Sequence, residues 1–472
     1  MVQHLQGTLG LLLLLSIPAS PPTAVDHPPP TTGDWPHWLG PDRNGTSPEK
    51  GMLREWPDQG PRLIWKAAIK SGGYGQPAIS RGELFISGGF RGIRGARCLN
   101  AFSGEQIWEF NYECRKDKLA AKKIQPGWGW CPRATAAVTD KYVYTIDELG
   151  ELFCLDRKTG REVWFRDLDT EYGPNHWDWK GWCASPLIED NVLFFCVQSP
   201  TTQLKEEARF IGIDATTGKT VWTYNEPVGK PRWGGGDLWH TAAVTSFGND
   251  KCFVTLANTR LIAIRVNDGK LIWKQEGAHS QPSVATPQVL QGKFVLVAPF
   301  DKNLDKGRLY EVDFKNAPHP SRLVWENPDL ICPFSTPVCY GDSLYAFCGP
   351  AVGDHASIGR PAFSCLDVKT GKFRWQTEPM AAGLSLMEVD GLLILHVQNE
   401  VWLVEPNPEK LVVKGKIKLE TKDLFSGWIV PVVAYGRLYV RTPTDLLCYQ
   451  VAEKVPAEGD VAPGRRSAGS KP

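Results

Sequence analysis

Cys154-Leu-Asp156-Arg-Lys-Thr159-Gly160-Arg-Glu-Val-Trp164 decides the fold, because it recurs in register along the chain. Cys98-Leu-Asn100-Ala-Phe-Ser103-Gly104-Glu-Gln-Ile-Trp108 repeats it, as does Gly212-Ile-Asp214-Ala-Thr-Thr217-Gly218-Lys-Thr-Val-Trp222. Ala263 to Trp273, through Asp268-Gly269, and Cys365-Leu-Asp367-Val-Lys-Thr370-Gly371-Lys-Phe-Arg-Trp375 are further copies. Two more are degenerate: Asp313 to Trp325 is longer by about four residues, and Leu403-Val-Glu405 to Val413 has lost the Trp. Successive tryptophans fall roughly 43 to 58 residues apart, the period of a four-stranded propeller blade.

Each part of the repeat has a physical reason. The first position is Cys, Gly or Ala in the well-formed copies, so something bulky packs against it, and the Trp at position eleven is the candidate, held in a slot between blades. Asp or Asn bonds backbone a little further on, and Gly takes positive φ without penalty, so the middle of the repeat is a tight turn. A hairpin precedes each copy: Ala134 to Ile146 turns at Thr139-Asp140-Lys141, Ser185 to Val197 at Glu189-Asp190-Asn191, Thr336 to Phe347 at Gly341-Asp342 and Val430 to Val440 at Tyr435-Gly436. Two hairpin strands, a strand leading into the motif and a strand carrying the Trp make one blade. An eighth set, from Trp428 to Val451, lacks a Trp strand, and Pro61-Arg-Leu-Ile-Trp65-Lys supplies one from the other end. The expectation is an all-β, eight-bladed propeller whose N-terminal strand pairs into the last blade and closes the ring, which removes exposed sheet edges.

Composition agrees. Gly and Pro number 46 and 37, and Trp outnumbers Met 19 to 4, so the chain is rich in turns and aromatics rather than helical. With 53 Lys and Arg against 52 Asp and Glu, no basic excess draws it to nucleic acid or to an anionic membrane. Leu9 to Ile17 is apolar, too short to span a bilayer and of the length of a signal-peptide core, although Met1 to Gly7 carries no Lys or Arg. The expected organisation is a signal peptide at 1–24, a Pro-rich linker at 25–33, the propeller at 34–451 and a disordered tail at 452–472, in an extracytoplasmic protein, periplasmic or secreted.

The Asp-x-x-Thr-Gly-x-x-x-Trp pattern resembles the tryptophan-docking motif of the quinoprotein (PQQ-like) eight-bladed propellers, over nearly all of residues 34–451. Asp34-Trp35-Pro36-His37-Trp38-Leu-Gly40-Pro41-Asp-Arg43-Asn-Gly45 and Pro132-Arg133-Ala134-Thr135 are similar to segments of secreted, uncharacterised bacterial PQQ-like repeat proteins. The same fold occurs in PQQ-dependent alcohol and glucose dehydrogenases and in an outer-membrane assembly lipoprotein, so fold alone does not settle function. The resemblance implies three readings: a binding or scaffold module, a PQQ- and Ca²⁺-dependent dehydrogenase with a divergent site, or an outer-membrane protein assembly factor. The lack of an early Cys weakens the last, since a lipoprotein needs one.

Arg133, Trp182, His240 and Trp428 lie at or just before the first strands of their hairpins, which line the channel of a propeller; they form a candidate cofactor-binding funnel. Trp128, Trp130, Trp177, Trp179, Trp233 and Trp239 crowd the loops leading in, where indoles suit stacking on a quinone or a sugar. The plainer reading is that they cover blade ends. The family's metal ligands do not map onto this chain residue by residue and it has no adjacent Cys pair; Asp178 and Asp237 are candidate catalytic bases, while His176 and His240 also read as structural histidines. Asp301, Asn303 and Asp305 resemble the start of a calcium loop, but Gly307 falls one place late and Val312 stands where Glu is needed, so a hairpin turn competes. Cys183 and Cys196 face each other if the hairpin turns at Glu189-Asp190, which makes a cross-strand disulfide a candidate. The expected partner is a protein or carbohydrate at the channel mouth, with no cofactor required and PQQ with calcium as the alternative.

Overall fold

Asp190 and Asn191 take positive φ, 46° and 63°, and turn one hairpin with Glu189 paired to Val192. Two consecutive residues of this kind match the right-handed twist of the flanking strands. Similar hairpins recur around the molecule, described in this computed structural model over residues 33–461 except 70–71, 91–92, 114–131, 173–181, 199–206, 228–239, 258, 279–284, 301–304, 350–360, 381–383 and 422–425.

The strands form eight sheets, each an antiparallel blade. Blade 1 comprises Ala78–Ser80, Glu83–Phe90, Ile93–Asn100 and Gln106–Glu113; blade 2 comprises Ala137–Val138, Tyr142–Ile146, Glu151–Asp156 and Glu162–Asp167. Blades 3 to 7 follow in the same order, with inner strands Leu187–Glu189, Ala243–Phe247, Gln288–Leu290, Val338–Tyr340 and Leu384–Val389. Blade 8 takes Val432–Ala434, Arg437–Arg441 and Asp445–Gln450 from the C-terminal end and Leu63–Ala68 from the N-terminal end, with Trp65 opposite Cys448. The fold is thus the expected all-β, eight-bladed propeller, closed by the N-terminal strand.

The small first position of the repeat lies directly across from its Trp: Cys98 pairs with Trp108, Cys154 with Trp164, Gly212 with Trp222, Ala263 with Trp273 and Cys365 with Trp375. A break in register beside each pair turns the indole out of its own sheet and into the next blade. There its Nε1 donates to a turn carbonyl: Trp108 to Arg157 at 2.8 Å, Trp164 to Ala215 at 3.0 Å, Trp222 to Val266 at 2.8 Å and Trp325 to Val368 at 2.8 Å. Trp65 closes the circle by donating to Ala101 of blade 1 at 3.1 Å.

The turn glycine has two tasks, of which the sequence showed one. Gly160 has φ 69° and Gly371 φ 68°, the left-handed region. A Cβ on Gly160 would also lie 2.5 Å from Trp108, and one on Gly371 2.4 Å from Trp325. The outer strand of blade 7 lacks the docking Trp and has Gly415 opposite Leu403. Trp56 from the N-terminal segment covers that position: its Cβ sits where a Gly415 side chain would be, and its backbone N–H donates to Lys414 O at 2.9 Å.

Beyond 451 the chain is described for ten more residues, mostly exposed, with Ala452 bridging to Met52 and Arg437 Nη2 donating to Pro456 O at 3.1 Å. No helix among the described residues is long and apolar enough to cross a membrane. Residues 1–24, with the expected signal, lie outside the described residues.

Gly371→Ala and Gly341→Ala separate the two glycine tasks. Gly341 has φ 60° but nothing within 4 Å of a Cβ, so Ala there should cost about 1–2 kcal/mol of backbone strain. Gly371→Ala adds the collision with Trp325 and should cost about 2 kcal/mol more, read from denaturant melts. Equal losses would show that the glycine is not the seat of the indole.

Candidate functional site

Each inner strand runs from one face of the ring to the other, and a hydroxyl residue stands just before most of them. Gln76 N donates to Thr135 Oγ1 at 3.1 Å, Thr135 N to Ser185 Oγ at 2.9 Å, Ser185 N to Thr241 Oγ1 at 3.0 Å and Thr286 N to Thr336 Oγ1 at 3.2 Å. These bonds link blades 1 to 4, and blade 5 to blade 6, in a buried girdle along the channel wall.

One end of the channel is closed by residues 33–47. Asp34 accepts from Ser80 Oγ, from Arg81 N and from the Tyr435 hydroxyl, and Trp35 bridges Ile79. Pro36 O accepts from Val138 N at 3.1 Å, and Arg43 donates to Ile188 O and pairs with Glu189 at 3.1 Å. Thr46–Ser47 pairs in parallel with Glu388 and Val389, and Ser47 Oγ donates to Val433 O. The tip of this plug reaches the girdle, with Trp38 Nε1 bound to Thr286 Oγ1 at 3.1 Å and His37 O accepting from Gln76 Nε2 at 3.0 Å. The channel is therefore blind, with His37 and Trp38, both half-buried, at the closed end.

At the other end, the channel mouth, the position two residues before the girdle carries Tyr74, Arg133, Cys183, Phe334 and Trp428, all half-buried. The rings form an arc. Phe300 and Phe334 meet edge to face at 5.5 Å, Phe334 and Trp428 lie 4.6 Å apart, and Trp428 and Tyr74 are edge-on at 5.8 Å. Arg133 Nη1 approaches Cys183 Sγ at 3.6 Å.

Of the four expected funnel residues, Arg133 and Trp428 stand at this rim. Trp182 and His240 are one residue out of step, and extended chain reverses its facing at each residue. Trp182 is buried against Gly150, its Nε1 3.5 Å from Asp169 Oδ1. His240 is buried, with Nε2 receiving Leu256 N at 3.3 Å and lying 2.9 Å from Thr255 Oγ1. Asp178, Asp237, Asp301, Asn303, His176 and the tryptophans 128, 130, 177, 179, 233 and 239 lie outside the described residues. Asp305 is buried in an ion pair with Arg308 at 2.6 Å. No disulfide joins Cys183 to Cys196: with Leu187 opposite Phe194, the ladder extrapolates to position 185 across from Cys196, while Cys183 turns to Arg133. His37, Trp38, Tyr74 and Phe334 were not anticipated; counting back from the recurrent Thr/Ser before the inner strands finds Phe334 alone, since Gln76 stands in that place after Tyr74.

Buried charge sits behind the mouth between blades 1 and 2. Arg94 Nε donates to Glu148 Oε1 at 2.9 Å with both side chains enclosed, and Tyr112 donates to Asp147 at 3.1 Å. Burial, with Glu148 and Glu151 alongside, pushes the Asp147 carboxyl well above the ordinary carboxylate range. Among the described residues no three His, Cys, Asp or Glu side chains converge to hold a metal ion. On the far side, Ile429 O, next to Trp428, accepts from His396 Nδ1 at 2.9 Å and Ser385 Oγ at 3.1 Å. Full burial lowers the His396 pKa from 6.5 to about 4.

That shift sets a pH dependence. Between about 4 and 6.5 the unfolded chain holds a proton on His396 that the folded protein does not, so stability falls as pH drops through this window. The loss should be on the order of 3 kcal/mol by pH 4 from this residue. His396→Asn keeps a donor for Ile429 O and should flatten that part of the profile in melts at stepped pH; an unchanged slope would assign the acid sensitivity elsewhere.

The profile of the family described as outer membrane protein assembly factor BamB matches residues 94–233 and 224–385. A quinohemoprotein alcohol dehydrogenase, ADH IIB, of Pseudomonas putida is 26% identical over 183 residues, 36% of this chain; the match spans about a quarter (24%) of that relative's length. Among solved structures, BamB from Moraxella catarrhalis superposes with a TM-score of 0.56 at 13% identity, over 84% of this chain and 99% of that one. Quinohemoprotein alcohol dehydrogenase from Comamonas testosteroni superposes with a TM-score of 0.60 at 12% identity, over 90% of this chain and 81% of that one. At such identities the superpositions speak for the fold alone. With the profile covering more than half of the chain and the docking repeats in place, the chain belongs to the PQQ-like eight-bladed propeller family whose profile is described as outer membrane protein assembly factor BamB.

Proposed function

We propose that the protein is an extracytoplasmic binding module, periplasmic or secreted, that takes a protein segment or a carbohydrate at its open channel mouth. The observation that carries this reading is the asymmetry of the channel. One end is filled by the chain's own residues 33–47, and the other presents Tyr74, Phe334 and Trp428 with Arg133 beside them. Flat rings with one guanidinium suit stacking on a sugar or an aromatic side chain while holding one acidic group.

The family also contains quinoprotein dehydrogenases, so PQQ with Ca²⁺ is the alternative ligand. PQQ is a flat polyanion, and its calcium requires several oxygen ligands. The described rim offers ring faces and a guanidinium but no converging carboxylates, so the described residues do not fit the metal half of that group. No catalytic step is drawn from it. The assembly-factor reading is favoured by the family description and by Val163 and Phe165, 44% and 42% exposed on the outer strand of blade 2, which offer an apolar edge to a protein partner.

Purified protein given PQQ and excess Ca²⁺ should show no dye-linked alcohol or sugar dehydrogenase activity, and calorimetry should show no tight binding. Sub-micromolar binding abolished by a chelator, together with turnover, would replace the binding-module reading with the dehydrogenase. Arg133→Ala and Trp428→Ala locate any binding that appears: loss in both assigns it to the mouth, and retention in both moves it elsewhere.

A further inference from the structure

Cys332 lies in the segment that joins blade 5 to the inner strand of blade 6, and Cys348 ends the next strand, Ser343–Cys348. Both are fully buried in one apolar cluster, and both are free thiols. Gly349 N donates to Ile331 O at 3.1 Å, so the two segments run side by side in opposite directions. Cys332 N points the other way and donates to Pro299 O at 2.9 Å. The residue after Cys348 thus binds the residue before Cys332, which sets 332 beside 348; in a regular antiparallel pair of this kind the Cα atoms lie about 4.5 Å apart, inside the disulfide range. The two side chains interact directly, with the Cys332 thiol hydrogen-bonded to Cys348.

We propose that Cys332 and Cys348 are a disulfide-forming pair whose bond anchors the aromatic rim of the channel mouth. Phe334, two residues after Cys332, joins Phe300 to Trp428 in the rim arc. A bond from Cys332 to the end of the second strand of blade 6 holds that arc covalently. The oxidant is a small or protein disulfide. One thiolate attacks it and releases a thiol; the second attacks the resulting mixed disulfide and releases the other, so two thiols become one S–S bond and two protons pass to the departing thiolates. The hydrogen bond to the Cys348 sulfur, with burial beside it, pushes the Cys332 thiol pKa well up and keeps it protonated once folded. The exchange therefore belongs to folding, before the cluster closes. That the bond is present in the protein as made rests on the proposed extracytoplasmic location; the pairing itself does not.

The test uses the full chain. Exported protein is denatured in excess alkylating agent and digested with chymotrypsin, which cuts at Tyr340 between the two cysteines. A linked peptide joining Cys332 to Cys348, two mass units lighter than the pair of free peptides and split by reductant, is expected. In parallel, reduced protein is refolded in a buffer of oxidised and reduced glutathione, and the same linkage should form. Reductant should lower the melting temperature of the refolded protein by a few degrees and leave Cys332→Ala/Cys348→Ala unmoved. Free thiols at both positions after oxidative refolding to the native melting temperature would overturn the pairing, as would linkage through Cys339, Cys183 or Cys196. Linkage on refolding but not in the exported protein would uphold the pairing and refute the oxidising location.

Discussion

Everything in this ring depends on one contact made between blades: an indole of one blade lying on the turn glycine of the next, its N–H on a turn carbonyl. It works because three local features agree. A small residue across the ladder leaves room beside the Trp, a break in register swings the ring outward, and a glycine without a Cβ receives it. Each blade is a sheet with two apolar faces and cannot stand alone. The indole fixes the angle at which the next blade stacks, and when that angle is repeated the eighth blade meets the first.

The same contact explains why the fold was legible. Its parts lie within eleven residues, so Cys154, Gly160 and Trp164 declare themselves by spacing, and the copies reinforce one another. The places where the pattern fails are filled from elsewhere. Blade 7 has Gly415 where a Trp belongs and receives Trp56 from the N-terminal segment, which no period within the blade could announce.

The mouth was legible only in part. The rim position carries Tyr74, Arg133, Cys183, Phe334 and Trp428, five chemistries that share a place and not a residue type. What recurs at Arg133, Cys183 and Phe334 is the hydroxyl two residues on, because it serves the neighbouring blade's backbone, while Gln76 and Val430 break the pattern after Tyr74 and Trp428. Trp182 and His240 sit beside the rim in sequence, yet one step along an extended chain turns a side chain from the channel into the blade. The plug has no period at all. Asp34 answers to Ser80 and to Tyr435, 401 residues away, and contacts of that kind leave no spacing to read. The thiol pair is hidden for a different reason: the ladder of its hairpin extrapolates to Ser335 across from Cys348, and only an irregular stretch after Ile331 brings Cys332 there instead.

The plug also orders events in time. Residues 33–68 are the first of the described chain to be made, yet Ser47 binds Val433 across 386 residues, and Leu63–Ala68 pairs with the strand that ends at Gln450. These partners do not exist until synthesis is nearly over. Blades 1 to 7 can stack as they emerge, each on the one before, but the ring stays an open arc with an unpaired strand edge at blade 8. The leading segment can meet blades 1 and 2 early, through Ser80, Ile79 and Val138, but completing the last sheet and covering blade 7 wait for the C-terminal strands. Closure by distant contacts is slow to reach, because the entropy of bringing the ends together is lost before any contact repays it. The last step of folding thus makes the blind channel and the closed circle together, and an open ring has neither.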